Sequence, residues 1–494
     1  MKNKIISIST ILIILISGLM ISVSGQKTAD KDQFKQINED GFGSIFNKGP
    51  RGTAIFNGSF VIGTANYEDD SSLAFDQDWP AKEYLDKILG MSGDYNKELT
   101  SDGCEIWSYD GQSWTQLVGD SPEALMPSGF SSEHEHCSEV GDIIEFKGFL
   151  YAGLRNHHEG CEIWRTRSIN ETWECVFNSG GGNINNVWAM KFNIFKDQLY
   201  MGTYNMADGT ELFRTSDGIT WEKVVGIGTK TPAGFGTKAK FYCWSMKTYD
   251  EHIYVGAHGG SKGGYIYRSL NGIDWEPLIA GENYFEAKEI GADYPGGFGM
   301  HAIGGFRDME VYNNELYVCS AGGWYMNIIF SKIGKILTIN NRWRHMNPLL
   351  FFKSVASSIW KYNSTTEKWT KVIGGNQKDI SGSGFGDKYN NYFWDMKTDG
   401  KDLYVSTMHQ DPINVIFTRK GLLSWTVRLE SVKGHGEIWK FDGKNWNNVI
   451  GKKKGLEFDQ EYNVGIREMN FYQDSTLLAT MNLKTGVEVW EIKN

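Results

Sequence analysis

Short apolar runs, cut by turns of glycine, asparagine and aspartate, set the rhythm of this chain. One run recurs as Phe60-Val61-Ile62-Gly63, Leu150-Tyr151-Ala152-Gly153, Leu199-Tyr200-Met201-Gly202, Ile253-Tyr254-Val255-Gly256, Leu316-Tyr317-Val318-Cys319, Leu403-Tyr404-Val405-Ser406 and Thr476-Leu477-Leu478-Ala479. A second follows each: Glu105-Ile106-Trp107, Glu162-Ile163-Trp164, Glu211-Leu212-Phe213, Tyr265-Ile266-Tyr267, Ser358-Ile359-Trp360, Glu437-Ile438-Trp439 and Glu488-Val489-Trp490. Six of these lead through a polar turn to a tryptophan, at Trp114, Trp173, Trp221, Trp275, Trp369 and Trp446. A further short run precedes most of the Leu-Tyr segments, ending near Met190, Met246, Met309, Met396 and Met469. Each unit therefore predicts four short antiparallel strands, a to d, joined by tight turns. Seven such units predict an all-β, seven-bladed β-propeller, because radial packing buries both faces of each sheet without long exposed edges.

The last unit ends at Asn494 and lacks a d strand. Phe34-Lys35-Gln36-Ile37 has the spacing of one and precedes Gly41-Phe42-Gly43, a motif repeated at Gly234-Phe235-Gly236, Gly297-Phe298-Gly299 and Gly384-Phe385-Gly386. Residues near 33–38 are expected to complete the last blade and close the ring.

Composition agrees. The chain of 494 residues carries 18 Trp, 23 Tyr and 27 Phe, with 58 Gly against 9 Pro, as aromatic strands and glycine turns require. A net charge of −10 argues against a nucleic-acid partner, which needs a basic face. Met1-Lys2-Asn3-Lys4, the apolar stretch Ile5 to Val23 and Ser24-Gly25 predict a signal peptide over residues 1–25. Residues 26–494 then form a single propeller, secreted or at the cell surface, monomeric and without a membrane span. Six cysteines permit 15 full pairings. Cys161 and Cys175 flank a predicted hairpin turn and are the pair suggested; six separate thiols are the alternative.

Loops d-to-a and b-to-c emerge on one face of such a disc. Extra sequence falls in three b-to-c connections, 67–102, 323–356 and 410–434, on the face that also carries the Gly-Phe-Gly loops. No acidic residue occurs from Leu316 to Thr366. Lys332, Lys335, Arg342, Arg344 and Lys353 stand there among apolar residues, which suggests an anionic partner or a membrane surface. The sequons at Asn57, Asn170 and Asn363 lie in turns of the opposite face.

Nine residues upstream of the Leu-Tyr segments the units read Arg51, Gly141, Trp244, Arg307, Trp394 and Arg467, joined by Trp188 if the third unit carries a two-residue bulge. The next position reads Gly52, Asp142, Ala189, Ser245, Asp308, Asp395 and Glu468. This register lies near the mouth of the central channel. Guanidinium forks suit a carboxylate or sulfate, and flat indoles suit a sugar ring. Arg51, Arg307, Arg467, Asp142, Asp308, Asp395, Glu468, Trp188, Trp244 and Trp394 are the candidate ligand-binding residues; structural Arg–Asp bridges are the competing reading. Glu133-His134-Glu135-His136 and His157-His158 read as polar loops rather than metal ligands. No metal or cofactor is expected.

The turns Asp110-Gly111-Gln112-Ser113-Trp114 and Ser216-Asp217-Gly218-Ile219-Thr220-Trp221 resemble the Asp-box (BNR) repeat of sialidase-like propellers, in a more compact form. That resemblance implies a hairpin capped by the Asp with the Trp packed between blades. Sialidases also clamp a substrate carboxylate with three arginines, but seven units stand here where that family has six, and no Tyr–Glu nucleophile pair can be assigned. The leading expectation is a non-catalytic propeller recognising a glycan or extracellular protein on its insertion face. A glycoside hydrolase and a structural adhesion module are the alternatives.

Overall fold

Among the described residues, strand pairing gives seven four-stranded antiparallel units. Their innermost strands are Asn47–Phe56, Glu139–Phe146, Trp188–Phe195, Tyr242–Tyr249, Ile303–Tyr312, Asn390–Thr398 and Asn463–Tyr472. Each innermost strand lies against that of the next unit, and the seventh returns to lie against the first. This is a seven-bladed β-propeller around a central channel. The computed structural model describes residues 34–66, 103–130, 137–236, 242–259, 263–300, 303–322, 357–375, 380–387, 390–409, 436–451, 463–482 and 485–493, together with the backbone of 414–419 and 425–430. The expected signal peptide, the insertions at 67–102 and 323–356 and the loop 131–136 lie outside these residues. Of the third insertion, strands Asn414–Arg419 and Trp425–Glu430 form a separate two-stranded hairpin.

The ring closes as the sequence predicts. Phe34–Gln36 pairs antiparallel with Glu488–Lys493, Phe34 opposite Ile492 and Gln36 opposite Trp490. Phe34 stacks on Trp490 at 4.7 Å, and the Ile37 amide donates to the Val489 carbonyl at 2.8 Å.

Two repeated devices explain the signature residues. In the Gly-Phe-Gly loops the glycine and phenylalanine both take left-handed backbone, as at Gly297 (φ 59°) and Phe298 (φ 56°). That strain turns the phenyl ring onto the c-strand aromatic, parallel and close: Phe298 on Trp360 at 3.8 Å, Phe385 on Trp439 at 4.4 Å, Phe235 on Tyr267 at 4.0 Å. The c-strand glutamate is the second device. Buried, it accepts the indole N–H two residues on, at 2.7 Å for Glu105 and Glu162 and 2.9 Å for Glu437. An asparagine four residues before the mouth position donates to it as well, Asn186 to Glu211 at 2.7 Å and Asn390 to Glu437 at 2.8 Å. Burial raises the carboxyl pKa of Glu105, Glu437 and Glu488, against the pull of these donors.

The turns behave as the capping argument requires. Asp110, Asp217, Asn271 and Asp442 each accept two backbone amides within their own turn, at 2.7–2.9 Å. The suggested Cys161–Cys175 disulfide is absent, and all six cysteines are free thiols. The hairpin register sets Cys175 opposite Trp164, while Cys161 precedes the strand and its amide donates to the Asn186 carbonyl of the next blade.

Candidate functional site

Every inner strand carries a one-residue β-bulge near its start, for example between Phe306 and Asp308 and between Ile466 and Glu468. A bulge sets two residues against one partner and re-aims their side chains. Two consecutive positions of each inner strand therefore serve the channel, at two depths.

The deeper layer is a hoop. The Asp142 carboxylate accepts the Phe192 amide of the next blade at 2.9 Å, Asp308 accepts that of Met396 at 2.8 Å, and Asp395 that of Met469 at 2.8 Å. Ser245 donates to the Phe306 carbonyl at 2.9 Å, and Thr53 donates to Glu468 at 3.3 Å. At Gly52 (φ 62°) an added Cβ would lie 2.8 Å from the Asp142 backbone, so the first blade meets the second by close approach instead. The third blade departs from the expected alignment. Its bulge falls between Ala189 and Lys191, one residue wide like the others, so Lys191 and not Ala189 stands in the carboxylate register. Lys191 reaches back to Asp142 at 3.2 Å, and Lys247 pairs with Glu310 at 2.7 Å. Burial, reinforced by Glu468 and Asp308, drives the Asp395 carboxyl well above the usual carboxylate range, against Lys397. Asp395, in turn, is the main influence raising the ammonium pKa of Lys397.

Above the hoop lies the mouth. Three blades carry a Gly-x-Arg there, Gly49 to Arg51, Gly305 to Arg307 and Gly465 to Arg467. The bare glycine makes room for a neighbour: a Cβ on Gly305 would come within 2.5 Å of the Trp244 ring. The other blades place Glu139, Trp188, Tyr242 and Tyr392 at that level. Trp188 thus reaches the mouth two residues before its own bulge, not at it. Glu139 binds Arg51 at 3.0 Å and pairs closely with Arg155, while both guanidiniums lie over the Trp188 ring at 4.5 and 4.9 Å. Arg467 lies over Trp394 at 5.1 Å and contacts the Met481 sulfur.

All three predicted arginines converge. Each acts electrostatically on the Tyr392 phenol, whose pKa burial nevertheless drives upward. Among the described residues Arg307 forms no ion pair or hydrogen bond, and the Tyr392 hydroxyl has no hydrogen-bond partner. The tryptophans are wall rather than platform. Trp188, Trp244 and Trp394 are 0%, 4% and 6% exposed, and arginines cover Trp188 and Trp394. Among the described residues no group of His, Cys, Asp and Glu could hold a metal ion, and no helix is long and apolar enough to cross a membrane.

Tyr392, Glu139 and Arg155 were not among the candidates from sequence. Reading the column two residues further upstream finds all four of these mouth side chains, Glu139, Trp188, Tyr242 and Tyr392, and their alternation with glycine. Arg155 lies opposite Glu139 in the ladder and follows from register.

No protein-family model matches the chain, and no curated protein matches it. Among solved structures it is similar to YCF48 from Cyanidioschyzon merolae, with 9% identity and a TM-score of 0.47 over 93% of this chain and 99% of that one. It is also similar to the WD40 β-propeller domain of Doa1, with 9% identity and a TM-score of 0.45 over 92% and 96% of the two chains. The α-L-arabinofuranosidase CtGH43 from Clostridium thermocellum is similar at 14% identity and a TM-score of 0.30, over 68% and 96%. The blade assignment stands on strand pairing and takes nothing from these likenesses.

Proposed function

We propose that this chain is an exported, non-catalytic binding propeller whose channel mouth, on the insertion-bearing face, takes the carboxylate or sulfate of an acidic glycan. The observation that carries the reading is Arg307, a guanidinium with no partner among the described residues, beside the unbonded hydroxyl of Tyr392. An unpaired cation is costly to desolvate, and an anionic ligand group would offset that cost with charge-assisted hydrogen bonds. Among the described residues, Arg51, Arg155, Arg307 and Arg467 meet one carboxylate at the mouth, Glu139, and this excess of positive charge would draw anions in.

Binding is favoured over hydrolysis because the carboxylates are already engaged. Asp142, Asp308 and Asp395 hold backbone amides of the next blade, and Glu139 is held by two arginines, so these four carboxylates offer no free pair for acid–base work. The test is a glycan array with wild-type, Arg307→Ala and Tyr392→Phe protein. Loss of an acidic-glycan hit in Arg307→Ala supports the site. A wild type that binds no glycan favours the adhesion module or an acidic protein partner, and turnover of a fluorogenic glycoside favours the hydrolase.

A further inference from the structure

Among the backbone hydrogen bonds between neighbouring blades, one recurs at a fixed place, from the residue just before strand c to the residue four before the next blade's mouth position. The bond runs from Cys161 to Asn186 at 2.7 Å, Gly264 to Ile303 at 2.7 Å, Ser357 to Asn390 at 3.2 Å and Val487 to Asn47 at 2.7 Å. Between blades 1 and 2 it runs from the Cys104 amide to the Cys137 carbonyl, at 2.8 Å. Of these five described joints, only this one has cysteine on both sides.

We propose that Cys104 and Cys137 are oxidised to a disulfide that fastens blade 1 to blade 2. A single backbone N–H···O bond of ordinary length holds the two Cα atoms within roughly 6 Å of each other, inside the span that a disulfide bridges. Both thiols are fully buried in the same hydrophobic cluster, and the backbone bond already brings the two chains together. Cys137 stands where blades 1, 3, 6 and 7 have Asn47, Asn186, Asn390 and Asn463, and its thiol is bonded to Glu162. Oxidation removes that bond, but Glu162 keeps the Trp164 indole and the Asn156 amide as donors. Cys175 is the competitor for Cys137. It sits in the outer strand of blade 2, its sulfur bonded to the Phe177 carbonyl at 3.4 Å, and no backbone bond ties it to Cys137.

Burial holds both thiols far above the usual range, so neither is a nucleophile once the joint has closed. Oxidation therefore belongs to folding, while blades 1 and 2 are still open. One cysteine thiolate attacks a small disulfide such as oxidised glutathione, forming a mixed disulfide and releasing one glutathione thiol. The second cysteine displaces the other glutathione, so two protein thiols and one oxidised glutathione become one cystine and two reduced glutathiones.

Full-length reduced protein is refolded with and without oxidised glutathione, quenched in acid, denatured, alkylated and mapped by peptide mass without reduction. The expected result is one cross-link between the Cys104 and Cys137 peptides, formed only with the oxidant, while Cys175 is alkylated. In the folded protein this cross-link should resist a reductant dose that cuts it in urea. Alkylation of both Cys104 and Cys137, or a link from Cys137 to Cys175, overturns the proposal. The mapping needs no variant and no ligand, so its outcome is independent of the channel mouth.

Discussion

Arg51 and Arg307 stand at matching places in blades 1 and 5, each two residues after a glycine, and meet opposite fates. Arg51 is saturated: Glu139 binds its guanidinium, Arg155 shares that carboxylate, and Trp188 covers the pair. Arg307 makes no ion pair or hydrogen bond among the described residues. The difference arises one blade on. The blade after Arg51 offers Glu139 at the mouth, whereas the blade after Arg307 offers Tyr392, a neutral group. One half of the mouth is thus built as structure, and the other is left with unspent charge. Residue type and position in the repeat are equal in the two cases; only the neighbour separates framework from site.

The largest expected effect comes from breaking the saturated half. Glu139→Gln removes the carboxylate that Arg51 and Arg155 share, and removing one member of a buried ion pair costs about 3–5 kcal/mol. Urea unfolding measures it. A loss below about 1 kcal/mol would mean that solvent already screens the triad and that the two halves of the mouth are alike. Next comes the hoop, where Asp308→Ala orphans the Met396 amide and should cost about 1–3 kcal/mol. Asp308→Asn keeps an acceptor and should recover most of that loss. Equal costs for the two variants would return Asp308 to the list of candidate ligand groups.

How much of this was legible beforehand follows from which signals are carried by side chains. The blades, the closing strand and the three arginines each recur at a fixed offset, so the pattern alone exposes them. The fate of Asp142, Asp308 and Asp395 does not show, because their partners are backbone amides of the next blade and leave no mark on residue type. Trp188 misled the alignment of the third blade: it resembles Trp244 and Trp394 in kind but sits two residues earlier, and Lys191 holds the place assigned to Ala189. Cys161 and Cys175 look symmetrical about their turn, yet the hairpin register pairs Cys175 with Trp164, three residues along the strand from Cys161. Tyr392 was passed over because its role depends on glycines in other blades.

The buried glutamates give the framework a pH signature that the free half of the mouth lacks. Glu105, Glu437 and Glu488 have carboxyl pKa values raised above their ordinary 4.5, chiefly by burial. A raised acid contributes stability that is complete below 4.5 and lost as pH climbs through the folded-state value, since the folded state then holds the extra proton. Melting temperature should therefore fall as pH rises from about 4.5 toward neutrality. Glu437→Gln, which keeps an acceptor for Trp439 and Asn390 but cannot ionise, should flatten the slope. An unchanged slope would assign the effect to other groups, Asp395 first.

Arg307→Ala should have the smallest effect on stability and the most informative. With no ion pair to break and part of its surface already exposed, the substitution should change unfolding free energy by no more than about 0.5 kcal/mol. The same change in Arg51 strips the buried Glu139 of one of its two guanidinium partners and should cost several times more. If an anionic ligand binds at the mouth, Arg307→Ala lowers its affinity at least tenfold, because a charge-assisted bond contributes about 1.5–3 kcal/mol. Arg307→Lys keeps the charge but loses the planar fork, and should recover only part of that affinity for a carboxylate or sulfate bound by two parallel bonds. Titration of an acidic oligosaccharide against the three proteins, at low and raised salt, separates the cases. Destabilisation without loss of binding would make Arg307 a second Arg51, and the asymmetry of the mouth would have no functional meaning.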